Sequence, residues 1–268
     1  MITSAKSGKR PMTFVAQTLT VNGAKVALNR SGAGEPLLFL HGADGLTEWP
    51  EILDDLAQNF DVIVPDLPGF GLSEAPAFVD DISDVAYLLM DMLEQMNLSG
   101  VRVVGHSLGG WAALEMAVRS CERIRSLALI APAGIHVKGS PKADIYMIDP
   151  DEQARLAYAD AELGAAAAAR AVVSKHQNQA ILNRIASARL GWNPRLYNPR
   201  LERWLHRVSK PTMIVWGDTD RIIPPVYADA FGGFMPAAQV VKITSAGHLP
   251  HVEKRAEVGA LLRDFLKG

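Results

Sequence analysis

Cys121 is the only cysteine among 268 residues, which excludes an internal disulfide framework and any Cys-based zinc site and points to a reducing compartment. No charge of one sign dominates: Lys plus Arg number 27 and Asp plus Glu 29, a formal net charge of −2. Without a basic excess, nucleic acid is not an expected partner. No segment reaches ~18 apolar residues without a charge. Met1 to Phe14 is polar and basic and has no apolar run of signal-peptide length, so neither a membrane span nor a leader is expected and the expected location is cytoplasmic. Tandem repeats are absent. The one low-complexity run, Ala165 to Ala169, reads as a close-packed helix of strong helix formers. What is present suits a globular protein: 49% apolar and 21% charged residues can bury a core and are too apolar for a disordered chain. At ~150 residues per average domain, the length fits one large domain with an insertion or two domains.

Gln17 to Val21 and Ala24 to Asn29 each alternate polar and apolar residues around Asn22-Gly23, which predicts a two-residue hairpin. Leu37 to Leu40 is wholly apolar and ends in His41-Gly42, the pattern of a strand buried on both faces. Helical spacing follows at Trp49, Ile52, Leu53, Leu56 and Phe60, then a buried strand at Val62 to Val64, then a helix carrying Ile82, Val85, Leu89, Met92, Leu93 and Met96. Val101 to Val104, Leu108 to Arg119 and Ile124 to Ile130 continue as strand, helix, strand. Such alternation builds a parallel sheet with helices on both faces, because each crossover returns over a sheet face. From Gly134 to about Val208 no strand is evident, only helical stretches at Glu152 to Leu163, Ala165 to His176 and Gln179 to Arg189, then a break at Trp192-Asn193-Pro194. This segment reads as an inserted helical cap that divides the core into residues 15–133 and 209–268. Strands resume at Met213 to Trp216 and Val240 to Ile243, and a helix with Val258, Leu261, Leu262, Phe265 and Leu266 closes the chain.

Gly105-His106-Ser107-Leu108-Gly109 lies where a buried strand becomes a helix, the context a G-x-S-x-G nucleophile elbow requires. A turn that strains the serine backbone needs neighbours without Cβ two positions away, which Gly105 and Gly109 supply. At a helix N-terminus, free N–H groups and the dipole favour negative charge on an attacked carbonyl. The pentapeptide by itself equally fits a glycine-rich turn with an ordinary capping serine. A serine hydroxyl also needs a base and an orienting carboxylate. Asp220 follows the Met213 to Trp216 strand, and His248 follows the Val240 to Ile243 strand. The order Ser, Asp, His, each after a strand, is the order of an α/β-hydrolase triad.

With these motifs the chain resembles the α/β-hydrolase fold superfamily, in its compact form with a helical cap, from about Thr18 to Leu266. His41-Gly42-Ala43 is similar to that superfamily's HG oxyanion loop, Asp66-Leu67-Pro68-Gly69-Phe70-Gly71-Leu72-Ser73 to its D-x-P-G-x-G-x-S loop, and Gly247-His248 to the segment bearing its histidine. The resemblance implies a mostly parallel eight-stranded sheet and an oxyanion hole formed by the backbone N–H groups of Ala43 and Leu108. It departs at Arg255, where many relatives carry proline, a change expected to affect only how the last helix begins.

Rival residues accompany each assignment. Asp218 stands two residues before Asp220, but W-G-x-x-D spacing from Trp216 selects Asp220 and leaves Asp218 a loop residue. His251 competes with His248, which the Ala246-Gly247-His248 pattern favours. His41 and His106 read as hydrogen-bonded supports. His136, His176 and His206 lack metal-ligand spacing, Cys121 reads as inert, and neither metal nor cofactor is expected.

The implied reaction is acyl transfer on a small-molecule acyl substrate, a carboxylic ester or lactone. Ser107 attacks, His248 takes its proton, Asp220 orients His248, and water releases the acyl group. A serine at 107 disfavours branches with a carboxylate nucleophile, such as haloalkane dehalogenases and epoxide hydrolases. Carbon–carbon hydrolysis of ring-cleavage products remains as an alternative, although the loop His41-Gly42-Ala43-Asp44-Gly45-Leu46 lacks the P-G of the HG-x-G-P-G pattern. Perhydrolysis, acyl transfer to other acceptors and a ligand-sensing receptor use the same residues. Tyr146, Met147, Trp192 and Tyr197 fit either an acyl pocket or the core of the cap itself, and the chain is expected to be a monomer or homodimer.

Overall fold

The computed structural model describes residues 14–46, 48–173 and 177–268. His176 and most of the polar amino-terminal segment fall outside the described residues. Strands β1 (Val15–Val21) and β2 (Ala24–Ser31) form the expected hairpin, with Asn22 at φ 48 and Gly23 at φ 82, the left-handed pair a two-residue turn needs. β3 (Glu35–Leu40), α1 (Glu51–Ala57), β4 (Phe60–Pro65), α2 (Ile82–Gln95), β5 (Val101–His106), α3 (Leu108–Arg119) and β6 (Ile124–Ile130) follow in alternation. After a helical segment come β7 (Thr212–Gly217), α4 (Val226–Phe234), β8 (Gln239–Ile243), a single turn α5 (Pro250–Glu253) and the terminal helix α6 (Arg255–Lys267).

The eight strands form one sheet in the order β1-β2-β4-β3-β5-β6-β7-β8, antiparallel at the two β2 pairings and parallel elsewhere. Every residue of β4, β5 and β7 is buried, as a sheet covered on both faces demands, while edge strands β1 and β8 are largely open. Side chains alternate between two cores. Leu37, Phe39, Val62 and Val64 pack with α1 and α6 on one face, whereas Leu38, Leu40 and Ile63 pack with α2, α3 and α4 on the other. The chain leaves β3 towards one face and β5 towards the other. Because β3 and β5 are parallel neighbours whose connections leave on opposite faces, their carboxyl ends mark the position where open α/β sheets bind ligands.

The segment from 134 to 208 contains α7 (Pro150–Ala157), α8 (Ala161–Val173), α9 (Gln177–Gly191) and a 3-10 helix (Leu201–Arg207), with one isolated bridge between Gly134 and Tyr197. Two expectations need correction, and two elements had no expectation. Phe60 opens β4 and does not close α1; its apolar side chain happens to fit both periods. The break expected near Gly164 falls at 158–160, because the Asp160 carboxylate accepts from the Glu162 and Leu163 amides at 2.8 and 3.0 Å and starts a new helix there. The 3-10 helix and α4 carried no recognisable pattern; α4 is short and has Gly232-Gly233 in its last turn. No helix among the described residues is long and apolar enough to cross a membrane.

Arg255 does more than start a helix. Its guanidinium is bidentate on Asp55, at 2.8 and 3.0 Å, and also reaches Glu51, fastening α6 to α1. Replacing Arg255 with Ala is expected to cost about 1 kcal/mol in urea unfolding at low salt, a difference that shrinks in high salt. An unchanged midpoint at low salt would show that this clamp contributes nothing.

Candidate active site

Ser107 occupies the one-residue turn between β5 and α3 at φ 52 and ψ −113, a left-handed backbone that costs a side-chain-bearing residue ~1–3 kcal/mol. Its neighbours make the turn fit. A Cβ on Gly105 would lie 2.6 Å from the Gly109 carbonyl oxygen, and one on Gly109 would lie 2.2 Å from that of Leu40. Glycine at these positions lets α3 drop directly against β3 and β5. The Ser107 amide donates to the Ile130 carbonyl at 2.9 Å, fixing the turn to β6 as well.

Ser107, Asp220 and His248 converge from three loops at the carboxyl edge of the sheet. Asp220 Oδ2 lies 2.8 Å from His248 Nδ1, and His248 Nε2 lies 2.9 Å from Ser107 Oγ. All three residues are buried. Asp220 Oδ1 accepts from the Ile222 and Ile223 amides at 2.8 and 2.9 Å, so the carboxylate is held before it meets the imidazole. Since Asp220 Oδ2 can only accept, Nδ1 carries the proton and Nε2 is left to accept from the Ser107 hydroxyl. This is the arrangement in which a serine hydroxyl can pass its proton to a base. Leu108 follows Ser107 in the chain and Ala43 lies in the loop after the neighbouring strand β3, and neither amide has a protein acceptor among the described residues.

The rival residues are placed elsewhere. Asp218 is exposed, accepting from the Ser245 amide and the Thr219 hydroxyl at 2.8 and 2.7 Å, which braces the turn after β7. His41 Nε2 accepts from the Leu67 amide at 3.0 Å, and Nδ1 donates to the Gly42 carbonyl at 2.8 Å. That pairing requires a neutral ring, and burial pushes its pKa down to about 4. His106 Nε2 donates to the His248 carbonyl at 3.0 Å. His251 packs with its ring centroid 4.7 Å from that of His106, and its Nδ1 is buried without a partner. His136 and His206 are exposed, and Cys121 Sγ donates to the Ala117 carbonyl. No group of three or more His, Cys, Asp or Glu among the described residues is arranged to hold a metal ion. Tyr146 donates to the Ser187 carbonyl and lies 5.8 Å from Trp192, while Met147 is exposed.

Several residues without a local sequence signal join the segment from 134 to 208 to these loops. Glu253 Oε1 accepts from the Gly247 amide at 2.6 Å, and Oε2 accepts from the Ala159 and Asp160 amides at 2.9 and 3.1 Å. The His248 amide donates to the Ala157 carbonyl at 2.8 Å. Asn183, fully buried in α9, donates to the Asp44 carbonyl at 2.8 Å, and Gln153 donates to the Asp44 carboxylate at 2.8 Å. Apart from the short Gly247 bond, each of these joins residues far apart in the chain, and no local signal could have announced it.

Three buried imidazoles make the site sensitive to acid. Burial drives His106 well below its ordinary pKa, with the charges of His251 and His248 adding to the effect, and burial first, then His248, takes His251 down to about 3. A histidine with a lowered folded pKa contributes its full stability above the unfolded value of ~6.5 and loses it as pH falls below that value. Stability is therefore expected to decline from about pH 6.5 downwards. At pH 5, His251→Leu should gain about 2 kcal/mol relative to its effect at neutral pH, measured by urea unfolding. Parallel pH profiles for the two proteins would show that His251 is not the buried neutral group described.

A model of the alpha/beta hydrolase family matches residues 37–261. The chain is 29% identical to a dihydrolipoyllysine-residue acetyltransferase component of the acetoin cleaving system of Cupriavidus necator, over 98% of this chain and 72% of that one. It is 28% identical to Lipase 3 of Moraxella sp. strain TA144, over 85% and 76% of the two chains. To a 2-hydroxymuconate semialdehyde hydrolase of Pseudomonas sp. strain CF600 it is 29% identical, over 94% of each. With a family match across most of its length and an eight-stranded, mostly parallel sheet of the corresponding kind, the chain belongs to the alpha/beta hydrolase family.

Proposed function

We propose that this protein is a serine hydrolase of small carboxylic esters or lactones, with Ser107 as nucleophile, His248 as general base and Asp220 as the orienting acid. The carrying observation is the unbroken run of short contacts, 2.9 Å from Ser107 Oγ to His248 Nε2 and 2.8 Å from His248 Nδ1 to Asp220 Oδ2. Ser107 attacks the acyl carbon as His248 accepts its proton, and Asp220 stabilises the imidazolium. The carbonyl oxygen, now anionic, is received by the amides of Ala43 and Leu108, the second of which opens α3 and has the helix dipole behind it. His248 then returns the proton to the leaving alcohol, and water repeats the sequence to release the acid. Residues 134–208 act as the cap over the carboxyl edge of the sheet and shape the acyl pocket.

Ester hydrolysis is favoured over carbon–carbon hydrolysis by the loop His41-Gly42-Ala43-Asp44-Gly45-Leu46, which lacks the P-G of the HG-x-G-P-G pattern. The likeness to a 2-hydroxymuconate semialdehyde hydrolase keeps the second chemistry as an arm of the test.

The test is a panel of p-nitrophenyl esters of increasing acyl length, run beside a coloured dienolic diketone and with Ser107→Ala as control. Ester turnover is expected to exceed diketone turnover, and Ser107→Ala should lose about 10⁴-fold or more with unchanged circular dichroism. Full activity in Ser107→Ala would remove the nucleophile; faster turnover of the diketone would move the protein to the carbon–carbon branch.

A further inference from the structure

We propose that Asn183, in the cap helix α9, is a positioning residue that sets the direction of the Ala43 amide and so completes the oxyanion hole. The inference rests on the serine-hydrolase reading above and names a group on which that site depends.

The connection runs through two peptide groups. The Asn183 Nδ2 group donates to the Asp44 carbonyl at 2.8 Å. That carbonyl belongs to the same peptide as the Gly45 N–H, which donates to the Gly42 carbonyl at 3.0 Å. The Gly42 carbonyl in turn belongs to the same peptide as the Ala43 N–H. A trans peptide points its C=O and N–H in opposite directions, so fixing the Gly42 oxygen fixes the Ala43 donor. Asn183 is therefore the first donor of a chain whose last donor is the Ala43 amide. Hydrogen bonds in such a chain polarise one another. Removing the first disturbs both the aim and the strength of the last.

Asn183 is itself held firmly. Its Oδ1 accepts from the Gly71 amide and from Gln179 Nε2, each at 3.0 Å, and the residue is fully buried. The Gly71 amide can only donate and the Asp44 carbonyl can only accept, so the orientation of the side-chain amide is settled by its partners. Gly45 is shaped for this contact: at φ 68, a Cβ there would lie 2.3 Å from Asn183 Nδ2. His41 provides the opposite support, donating from Nδ1 to the same Gly42 oxygen at 2.8 Å. The oxyanion loop is thus fixed from the core by His41 and from the cap by Asn183.

Gln153 separates this role from simple docking of the cap. It joins the cap to Asp44 as well, but through the side-chain carboxylate and outside the peptide chain. The experiment compares wild type, Asn183→Ala and Gln153→Ala on the best p-nitrophenyl ester, with inhibition by a boronic acid as a probe of the tetrahedral adduct. Loss of an oxyanion donor costs about 10²–10³ in kcat, so loss of its support should cost about 10–100-fold. KM should stay within about threefold, boronate affinity should fall by the same factor as kcat, and Gln153→Ala should remain close to wild type. Should Asn183→Ala fail to fold, Asn183→Ser carries the same measurements. A kcat near wild type in the folded Asn183 variant, or an equal loss in Gln153→Ala, would overturn the assignment. A wild-type protein whose ester turnover survives Ser107→Ala would instead overturn the serine-hydrolase reading itself.

Discussion

The left-handed backbone of Ser107 is the constraint on which the rest of the site depends. At φ 52 the residue carries a conformational penalty, and the fold holds it there by using both of its peptide groups: the amide donates to Ile130, and the carbonyl accepts from Trp111 and Ala133. Three glycines follow from that turn. Gly105 and Gly109 let α3 lie against β3 and β5, and Gly110 leaves no Cβ to press on Pro132, which a Cβ there would approach to 2.8 Å. The result is a hydroxyl at the carboxyl end of β5, beside the loop leaving β3 on the other face. With the parallel strands aligned, the loops after β7 and β8 reach the same edge without further design.

Histidine is used here in two ways that residue type alone does not separate. His41 and His106 are structural donors in a dry environment, and their low pKa values follow from that burial. Neutral imidazole suits this role because it can donate to a carbonyl from one nitrogen while the other accepts, as His41 does between Gly42 and Leu67. His248 differs because its two nitrogens face a carboxylate and a hydroxyl, groups between which a proton can travel. The hydrogen-bond partners distinguish the roles.

Much of this is legible in the sequence where structure is local. Asn22-Gly23 announces its hairpin, and the limits of α3 and β6 match their sequence patterns, because the buried runs there end abruptly at turn residues. The spacing from Trp216 picks out Asp220 over Asp218, and the structure brings Asp220 to His248 and leaves Asp218 outside the cluster. Phe60 misleads because an apolar residue at a helix-to-strand junction satisfies both periods. The Asp160 cap is hidden by the alanine-rich pattern beside it. Asn183 and Glu253 are invisible for a deeper reason: each acts through backbone amides and carbonyls distant in sequence, and a backbone partner leaves no mark on residue identity.

Those two residues give the segment from 134 to 208 a role beyond the pocket proposed for it. Glu253 bonds the loop bearing His248 to the junction of α7 and α8, and Asn183 bonds the loop bearing Ala43 to α9. Both halves of the proposed machinery, the base and one oxyanion donor, therefore rest on the same segment that would shape the acyl pocket. A segment evolving only for substrate fit could change any residue facing the proposed acyl pocket. This one must also keep the Ala159 and Asp160 amides placed for the Glu253 carboxylate and an amide donor at Asn183, or the groups beneath it lose their aim. On the serine-hydrolase reading, substrate choice and turnover are coupled through these bonds, and changes that reshape α7 to α9 will move kcat as well as KM unless they leave both bonds in place.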